Sequence, residues 1–123
     1  MRALIALALL LTCAAAWGAG FTGLLKGGPA ELFDDADLHM FLDAMRKTLD
    51  EGTEKQSFAW QNPKNGHRGE FTVLKQFESK GSPCKYVLVH NEAGGRKSDM
   101  RHNACKINGD WRLMGTIQQG GKK

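Results

Sequence analysis

The chain has 123 residues, with 17 Lys or Arg, 13 Asp or Glu and a formal net charge of +4 when histidine is neutral. This length allows one domain with a modest hydrophobic core and excludes two domains of ordinary size. A small positive excess does not by itself identify a partner, so fold and function must be inferred from the order of the residues.

The N-terminal segment has the pattern of a secretory signal peptide. One arginine precedes a short apolar run, and small residues follow it, so we expect residues 1–18 to be cleaved on export. The run is shorter than the roughly 18 to 20 apolar residues that span a bilayer. The sequence around Cys13 partly resembles a bacterial lipobox, although Thr12 is unusual before the cysteine, and lipidation of Cys13 is therefore the alternative.

The next segment is rich in glycine and contains a proline, so we predict that residues 19–30 form a flexible arm. Its single GxxxG motif encloses a lysine and gives only weak support for packing between membrane helices. We place the folded domain at residues 31–119 and a basic tail at residues 120–123.

A helix is predicted at the start of this domain. Apolar residues recur there at the spacing of one helical face, which in a small domain usually packs on its own sheet. They are Leu38, Phe41, Leu42, Met45 and Leu49. Asp34 or Asp35 is the predicted N-cap and Gly52 the predicted end, while Asp37 near the start suits the helix dipole.

Beyond the helix, apolar residues alternate and turn-forming residues separate five predicted strands, at 57–61, 69–78, 85–91, 96–106 and 111–116. Two sets of apolar residues are expected to share a face of their strands: Phe71, Val73 and Phe77, and then Val87, Val89, Met100 and Ala104. One helix before an antiparallel meander indicates the α+β class, with an N-terminal amphipathic helix packed on a five-stranded antiparallel sheet.

The third and fourth strands flank Gly94 and Gly95, which supply the positive φ angles of a two-residue turn. Counting outward from this turn pairs Cys84 with Cys105 at a non-hydrogen-bonded position, where Cα atoms approach to about 4.5 Å and a disulfide is feasible. Export favours this disulfide over the alternative of two unrelated buried thiols. The chain-entropy model assigns such a cross-link roughly 3 kcal/mol.

The second half of the chain carries a combined motif: W-x-N-x-x-x-G-x-x-G, two cysteines, a GGR turn and a G-x-W ending. Its residues are Trp60, Asn62, Gly66, Gly69, Cys84, Gly94, Gly95, Cys105, Gly109 and Trp111. This combination resembles the C-terminal domain of the bacterial seventeen-kilodalton outer-membrane surface antigens. The resemblance implies a noncatalytic envelope protein. The matching residues suit structural roles, as core aromatics, turn formers and a disulfide.

Patterns of catalytic and metal-binding residues are missing from the sequence. It contains no H-x-x-x-H, no C-x-x-C, no phosphate-binding glycine loop and no G-x-S-x-G. His90 and Asp99 are predicted cross-strand neighbours, and without a nucleophile such a pair is a surface ion pair. We therefore expect no enzyme activity, no cofactor and no metal.

Six basic residues on the C-terminal strands form the candidate binding surface: Lys85, Arg96, Lys97, Arg101, Lys106 and Arg112. The simple interpretation of these charges is that they keep the exposed faces of the strands solvated. The functional interpretation is a surface for an anionic envelope polymer, a lipid headgroup or a protein. Nucleic acid is not expected, because an exported chain rarely meets it and a single aromatic, Tyr86, lies among these residues.

Two functions are consistent with these patterns. The first is an exported noncatalytic component of the periplasm or the outer-membrane surface, with any membrane association peripheral or through a lipid anchor. The second is a periplasmic protein inhibitor of a lysozyme-like enzyme, a role that small disulfide-stapled β domains fill. A small hydrolase is disfavoured because the sequence lacks a catalytic triad or a metal set.

Overall fold

A computed structural model describes residues 24–114. The elements in chain order are a 3₁₀ helix (Gly28–Leu32), α1 (Asp35–Glu51), β1 (Ser57–Gln61), β2 (Arg68–Ser79), β3 (Ser82–Ala93), β4 (Arg96–Ile107) and β5 (Asp110–Leu113). The strands form one antiparallel sheet in the order β1-β2-β3-β4-β5. The predicted α+β fold of one helix on a five-stranded meander is confirmed. The predicted signal peptide, Cys13 and the basic tail lie outside the described residues.

Three of the connections between strands are two-residue turns in which both residues have positive φ. They are Lys80-Gly81 (φ 52° and 80°), Gly94-Gly95 (58° and 78°) and Asn108-Gly109 (52° and 84°). Such turns twist in the same sense as the flanking strands, so they fix the register of a hairpin. The sequence of short turns therefore produces a meander of neighbouring strands.

The β3–β4 hairpin has the register predicted from its turn. Ala93 pairs with Arg96, and counting along the ladder brings Cys84 opposite Cys105. The two sulfur atoms are bonded at 2.03 Å, and the two Cα atoms are 4.0 Å apart. The predicted disulfide is confirmed, and it closes the end of the hairpin that lies farthest from the turn.

α1 begins and ends at predicted residues. The Asp34 carboxylate accepts a hydrogen bond from the Asp37 backbone N–H (2.8 Å), and the Asp37 carboxylate accepts one from the Asp34 N–H (2.9 Å). This capping box satisfies two backbone donors that the helix leaves unpaired. Gly52 is the C-cap. A Cβ at Gly52 would lie 2.8 Å from Cγ2 of Val73, so a larger residue would separate the helix end from the sheet.

The hydrophobic core lies between α1 and one face of the sheet, which we call the helix side. Of the predicted helical stripe, Phe41, Met45 and Leu49 are buried, whereas Leu38 and Leu42 are half-buried. The sheet contributes Trp60, Phe71, Val73, Val87, Val89 and Ala104, and Met100 is half-buried beside them. The opposite face of the sheet, which we call the outer face, includes the disulfide.

The prediction that Phe77 shares a face with Phe71 and Val73 is wrong. The pairing of β2 with β3 shifts register between Val73 and Lys75, where Leu74 forms a bulge. One extra residue reverses the alternation of side chains beyond it. Phe77 consequently pairs with a cysteine of the disulfide and belongs to the outer face.

The prediction of a flexible arm is also wrong for the part that the structure describes. Leu24 is 2% exposed and belongs to the core cluster, and Leu25 packs against that cluster. Pro29 and Ala30 are buried in the 3₁₀ helix, which lies against β3 and β4. The glycine content indicated flexibility, but the apolar residues between the glycines bury enough surface to hold this segment on the domain.

Candidate functional site

A buried carboxylate joins the start of α1 to the loop between β1 and β2. Asp37 is fully buried and accepts hydrogen bonds from Nδ2 of Asn62 (2.8 Å), Nδ2 of Asn65 (3.1 and 3.2 Å) and Nδ1 of His67 (2.8 Å). Burial raises the pKa of Asp37, but hydrogen bonds from the Asp34 N–H and from these three side chains outweigh it and lower the pKa to about 2. The carboxylate is therefore ionised at neutral pH.

The motif residues Asn62 and Gly66 shape the loop that supplies these donors. The Asn62 N–H donates to the carbonyl of His67, and the Asn62 carbonyl accepts from the Gly66 N–H, both at 2.8 Å. Oδ1 of Asn62 also accepts from the Lys64 N–H at 3.1 Å. Gly66 has φ of 76°, a conformation that glycine adopts without strain. The W-x-N-x-x-x-G spacing thus folds a loop whose side chains reach the helix.

Trp60 and Gly69 form the second part of this motif. They are paired across β1 and β2, and Trp60 is buried in the core. A Cβ at Gly69 would lie 2.4 Å from Nε1 of Trp60, so only glycine lets the indole lie this close to the β2 backbone. Nε1 of Trp60 and both side-chain polar atoms of Asn91 are buried without a hydrogen-bond partner within the described residues.

Lys85 was predicted on the binding surface but is buried beneath the C-terminal end of α1, with 7% of its surface exposed. Its Nζ donates to the carbonyls of Leu49 (2.6 Å) and Thr48 (3.4 Å) and lies 5.5 Å from the Trp111 ring. Burial lowers the pKa of Lys85. The prediction failed because Lys85 pairs with Ala104 and so belongs to the helix side, where a cation complements the helix dipole.

β5 adds a second contact at this end of the helix. Nε1 of Trp111 donates to the carboxylate of Asp50 at 3.0 Å, and the half-buried indole packs against the core cluster. Gly109 forms the turn that returns the chain to place Trp111 opposite Lys106. Phe33, which directly precedes the N-cap of α1, packs edge-on against Trp60 with ring centroids 5.1 Å apart, so the two tryptophans of the motif lie near opposite ends of α1.

The other five predicted basic residues are divided between two faces of the sheet. Arg96 and Lys106 lie on the helix side of β4, at alternating positions that include the buried Ala104. Lys97, Arg101 and Arg112 lie on the outer face. The six predicted residues therefore do not form one continuous surface.

Near the β3–β4 turn, the charges of the outer face are paired. Glu92 accepts from Nε and Nη2 of Arg68 (3.0 and 3.1 Å), lies 2.8 Å from Nε2 of His90 and is 3.7 Å from Nζ of Lys97. Nδ1 of His90 is 2.6 Å from Asp99, so the predicted cross-strand pair is confirmed. Hydrogen bonds lower the pKa of Glu92 to about 2, with the larger effect from Arg68 and the smaller from His90. Hydrogen bonds with Glu92 and Asp99, in that order of size, raise the pKa of His90.

Nearer the disulfide, the outer face carries cations that form no ion pair within residues 24–114. The outer-face positions of β3 from Leu88 to Cys84, together with the residues aligned with them on the other strands, include Lys75, Arg101 and Arg112. They include no Asp or Glu. These three cations are exposed and form no ion pair with other residues in the range 24–114. We call them the basic patch. Half-buried apolar residues lie among them: Phe77, Tyr86 and Leu88.

A cleft of about 240 Å³ opens between the β1–β2 loop and the β3–β4 turn. Its polar side chains come from both edges: Gln61, Asn65, His67, Arg68, Glu92, Arg96 and Lys97. A second cleft of about 470 Å³ lies beside it on the outer face, and the Arg68–Glu92 ion pair forms part of both walls. Among residues 24–114, no group of three or more His, Cys, Asp or Glu is placed to hold a metal ion.

The model of a protein family described as 17 kDa outer membrane surface antigen matches residues 47–112, which is more than half of the chain. The chain belongs to this family. Membership of the surface-antigen family points to an exported, envelope-associated protein. No curated protein and no solved structure matches the chain. Within the described residues, no helix has the length and apolar character needed to cross a membrane.

The surface-antigen motif therefore holds α1 on the sheet from both ends. The sequence patterns did not reveal the contribution of Asp37, Asn65 and His67, because the position of Asp37 suited the helix dipole alone. The D-x-x-D spacing of Asp34 and Asp37 was the available signal, because a carboxylate at the third helical position can complete a capping box. The inhibitor of a lysozyme-like enzyme stays a prediction, since neither the fold nor the family bears on it.

Proposed function

We propose that this surface-antigen protein acts in the periplasm or at the outer-membrane surface as a noncatalytic binding component. Its contact surface is the basic patch of Lys75, Arg101 and Arg112, and its partner is anionic envelope material. One observation carries the proposal: these cations form no ion pair within residues 24–114, although Asp99 and Asp110 lie two positions before Arg101 and Arg112 on the same face, whereas the charges near the β3–β4 turn are paired.

The pairing of a cation affects how strongly it attracts a new anion. Lys97 already shares Glu92 with Arg68, so its attraction for an extended external polymer is partly offset. Arg101 and Arg112 form no such ion pair among residues 24–114, so an external anion does not have to displace a bound carboxylate. Exposed charges are screened over about 8 Å at physiological ionic strength. The patch must therefore touch its partner directly.

The arrangement of His67 and His90 supports binding in place of catalysis. His90 lies between the carboxylates of Glu92 and Asp99, and His67 is held by Asp37. A nucleophilic mechanism requires a histidine that is hydrogen-bonded to the nucleophile, such as a Ser, Thr or Cys side chain. Within residues 24–114, neither imidazole has such a hydrogen bond. Such pairs on a sheet surface serve to neutralise charge and to hold strands in register.

Sedimentation of the purified secreted protein with isolated cell envelopes tests the proposal. The double variant Arg101→Glu/Arg112→Glu is expected to weaken binding by about tenfold or more, because two attractive contacts become repulsive. The matched control is Lys47→Glu/Lys64→Glu, which changes the net charge equally at exposed positions of the helix and of the β1–β2 loop. The control should bind within about twofold of the unaltered protein.

Two results would contradict the proposal. In the first, the patch variant binds as tightly as the unaltered protein. In the second, the control variant loses as much affinity as the patch variant, which would show that only net charge matters. Thermal unfolding of each variant must show an intact domain, and we expect this because all four positions are exposed.

A further inference from the structure

We propose a second, separate binding site in the 240 Å³ cleft between the β1–β2 loop and the β3–β4 turn. Its ligand is a single anionic sugar unit, in which a phosphate or carboxylate group is attached to a hydroxylated ring. The oxyanion is bound by Arg68, Arg96 and Lys97, and the hydroxyl groups are bound by His67 and Gln61. The site does not include any residue of the basic patch.

Two of these side chains are held in place before a ligand arrives. The ionised Asp37 accepts the proton-bearing Nδ1 of His67, so Nε2 is the ring nitrogen that remains for a ligand. The His67 side chain is 17% exposed, and its ring lies 6.2 Å from that of Phe33. Arg68 is fixed by two hydrogen bonds to Glu92. Groups that are already ordered lose less conformational freedom when a ligand binds.

The other two cations are free to move toward a ligand. Arg96 is 3.7 Å from Glu31 and Lys97 is 3.7 Å from Glu92, with the two basic side chains 54% and 71% exposed. Exposed pairs at this distance contribute little stability, so an oxyanion can displace them. Arg68, Arg96 and Lys97 outnumber Glu92 on the cleft wall by two charges, which favours an anionic ligand.

The size and the walls of the cleft suit one sugar ring. Its volume is about that of eight water molecules in the liquid. This volume is smaller than that of sites that hold drug-sized ligands. Gly66 and Gly95 line opposite walls, and a Cβ at either would meet nothing within 4 Å, so the cleft is open there. Nε2 of His67 and the amide of Gln61 add polar groups that pair with hydroxyls.

Titration of the whole secreted protein with four probes, followed by NMR of backbone amides, tests this site. The probes are glucose 6-phosphate, glucuronate, glucose and inorganic phosphate. We expect saturable shifts at residues 66–68 and 93–97 with the two anionic sugars, and binding of glucose and of inorganic phosphate weaker by about tenfold or more. The tighter of the two anionic sugars identifies phosphate or carboxylate as the recognised group.

A pair of matched variants locates the binding. Arg96→Gln/Lys97→Gln should weaken binding of the anionic sugars by about tenfold or more, whereas Arg101→Gln/Arg112→Gln removes the same charge outside the cleft and should change it less than about twofold. The site is refuted if neither anionic sugar gives saturable shifts, if glucose binds equally well, or if both variants lose affinity equally. None of these results alters the expected effect of the patch variants on envelope binding, so the two proposals fail independently.

Discussion

Charged residues on the helix side and in the basic patch of the outer face differ in their burial and in their pairing. Beneath α1, Asp37 and Lys85 are buried, and each is bonded to fixed partners at the helix end that its charge complements. On the outer face, Arg101 and Arg112 are exposed and have no ion-pair partner among residues 24–114. A buried charge must be satisfied within the fold, and an exposed cation without a partner is available to a ligand. Substitutions on the two sides should therefore affect different properties.

The largest effect on stability is expected for Asp37→Ala. This change leaves the buried donor of Asn62 and the half-buried donor of His67 without their acceptor and should lower the free energy of unfolding by about 3–5 kcal/mol. Asp35→Ala is the control, because Asp35 is exposed in the same helical turn, and it should cost less than about 1 kcal/mol. Urea denaturation measures both. Equal losses would show that the buried network does not hold the helix.

The disulfide gives the next largest effect. Cys84→Ser should lower the free energy of unfolding by roughly 3 kcal/mol, because the reduced unfolded chain gains conformational freedom. The double variant Cys84→Ser/Cys105→Ser should lose the same amount, since the cross-link is already absent in the single variant. Thiol labelling of the unfolded, unreduced protein provides the direct check. Labelling of Cys84 and Cys105 would contradict the bond.

Acid should weaken the helix-side network. Asp37 has a pKa of about 2 in the folded protein against 3.8 as its ordinary value. A carboxyl group whose pKa is lowered by folding stabilises the fold above its unfolded pKa and loses that contribution as pH falls through the folded pKa. The difference corresponds to about 2 kcal/mol, lost between roughly pH 4 and pH 2. Asp37→Asn cannot titrate, so its stability should fall less over this range. Parallel curves for the two proteins would refute this role of Asp37.

Lys85→Met should have a smaller effect, a loss of about 1–2 kcal/mol, because methionine fills the site but cannot donate to the carbonyl of Leu49. Part of this loss of stability is offset because methionine, unlike lysine, carries no charge that must be buried. Lys106→Met is the matched control, since Lys106 also follows a cysteine but is exposed, and it should change stability by less than about 0.5 kcal/mol. If the exposed lysine matters as much as the buried one, Lys85 does not hold the end of the helix.

The sequence predicted the features that depend on neighbouring residues. The Gly94-Gly95 dipeptide determined the turn, and counting outward from the turn determined the partner of Cys84. Asp34 and Gly52 marked the ends of α1 for similarly local reasons, a side-chain acceptor and a stop. Lys85 was also predictable from this register, because it pairs with Ala104, which was already assigned to the helix side.

Two features depended on contacts that a single sequence does not reveal. The network at Asp37 joins residues 25 to 30 positions apart, and no local pattern required Asn62 and His67 to reach the helix. The bulge at Leu74 inserts one residue into an otherwise regular alternation, and this residue moved Phe77 to the outer face. The division of the basic residues between two faces and the pairing of Lys97 with Glu92 could be read from the register, but the contact of Arg96 with Glu31 of the 3₁₀ helix could not.

The salt dependence of envelope binding tests most directly whether the basic patch is the contact surface. Affinity of the protein for isolated envelopes should fall as sodium chloride is raised from about 50 to 500 mM, because screening weakens attraction between exposed charges. Arg101→Glu should bind more weakly and with a shallower dependence on salt, while its free energy of unfolding changes by less than about 0.5 kcal/mol. Affinity that is indifferent both to salt and to Arg101→Glu would contradict the proposed function.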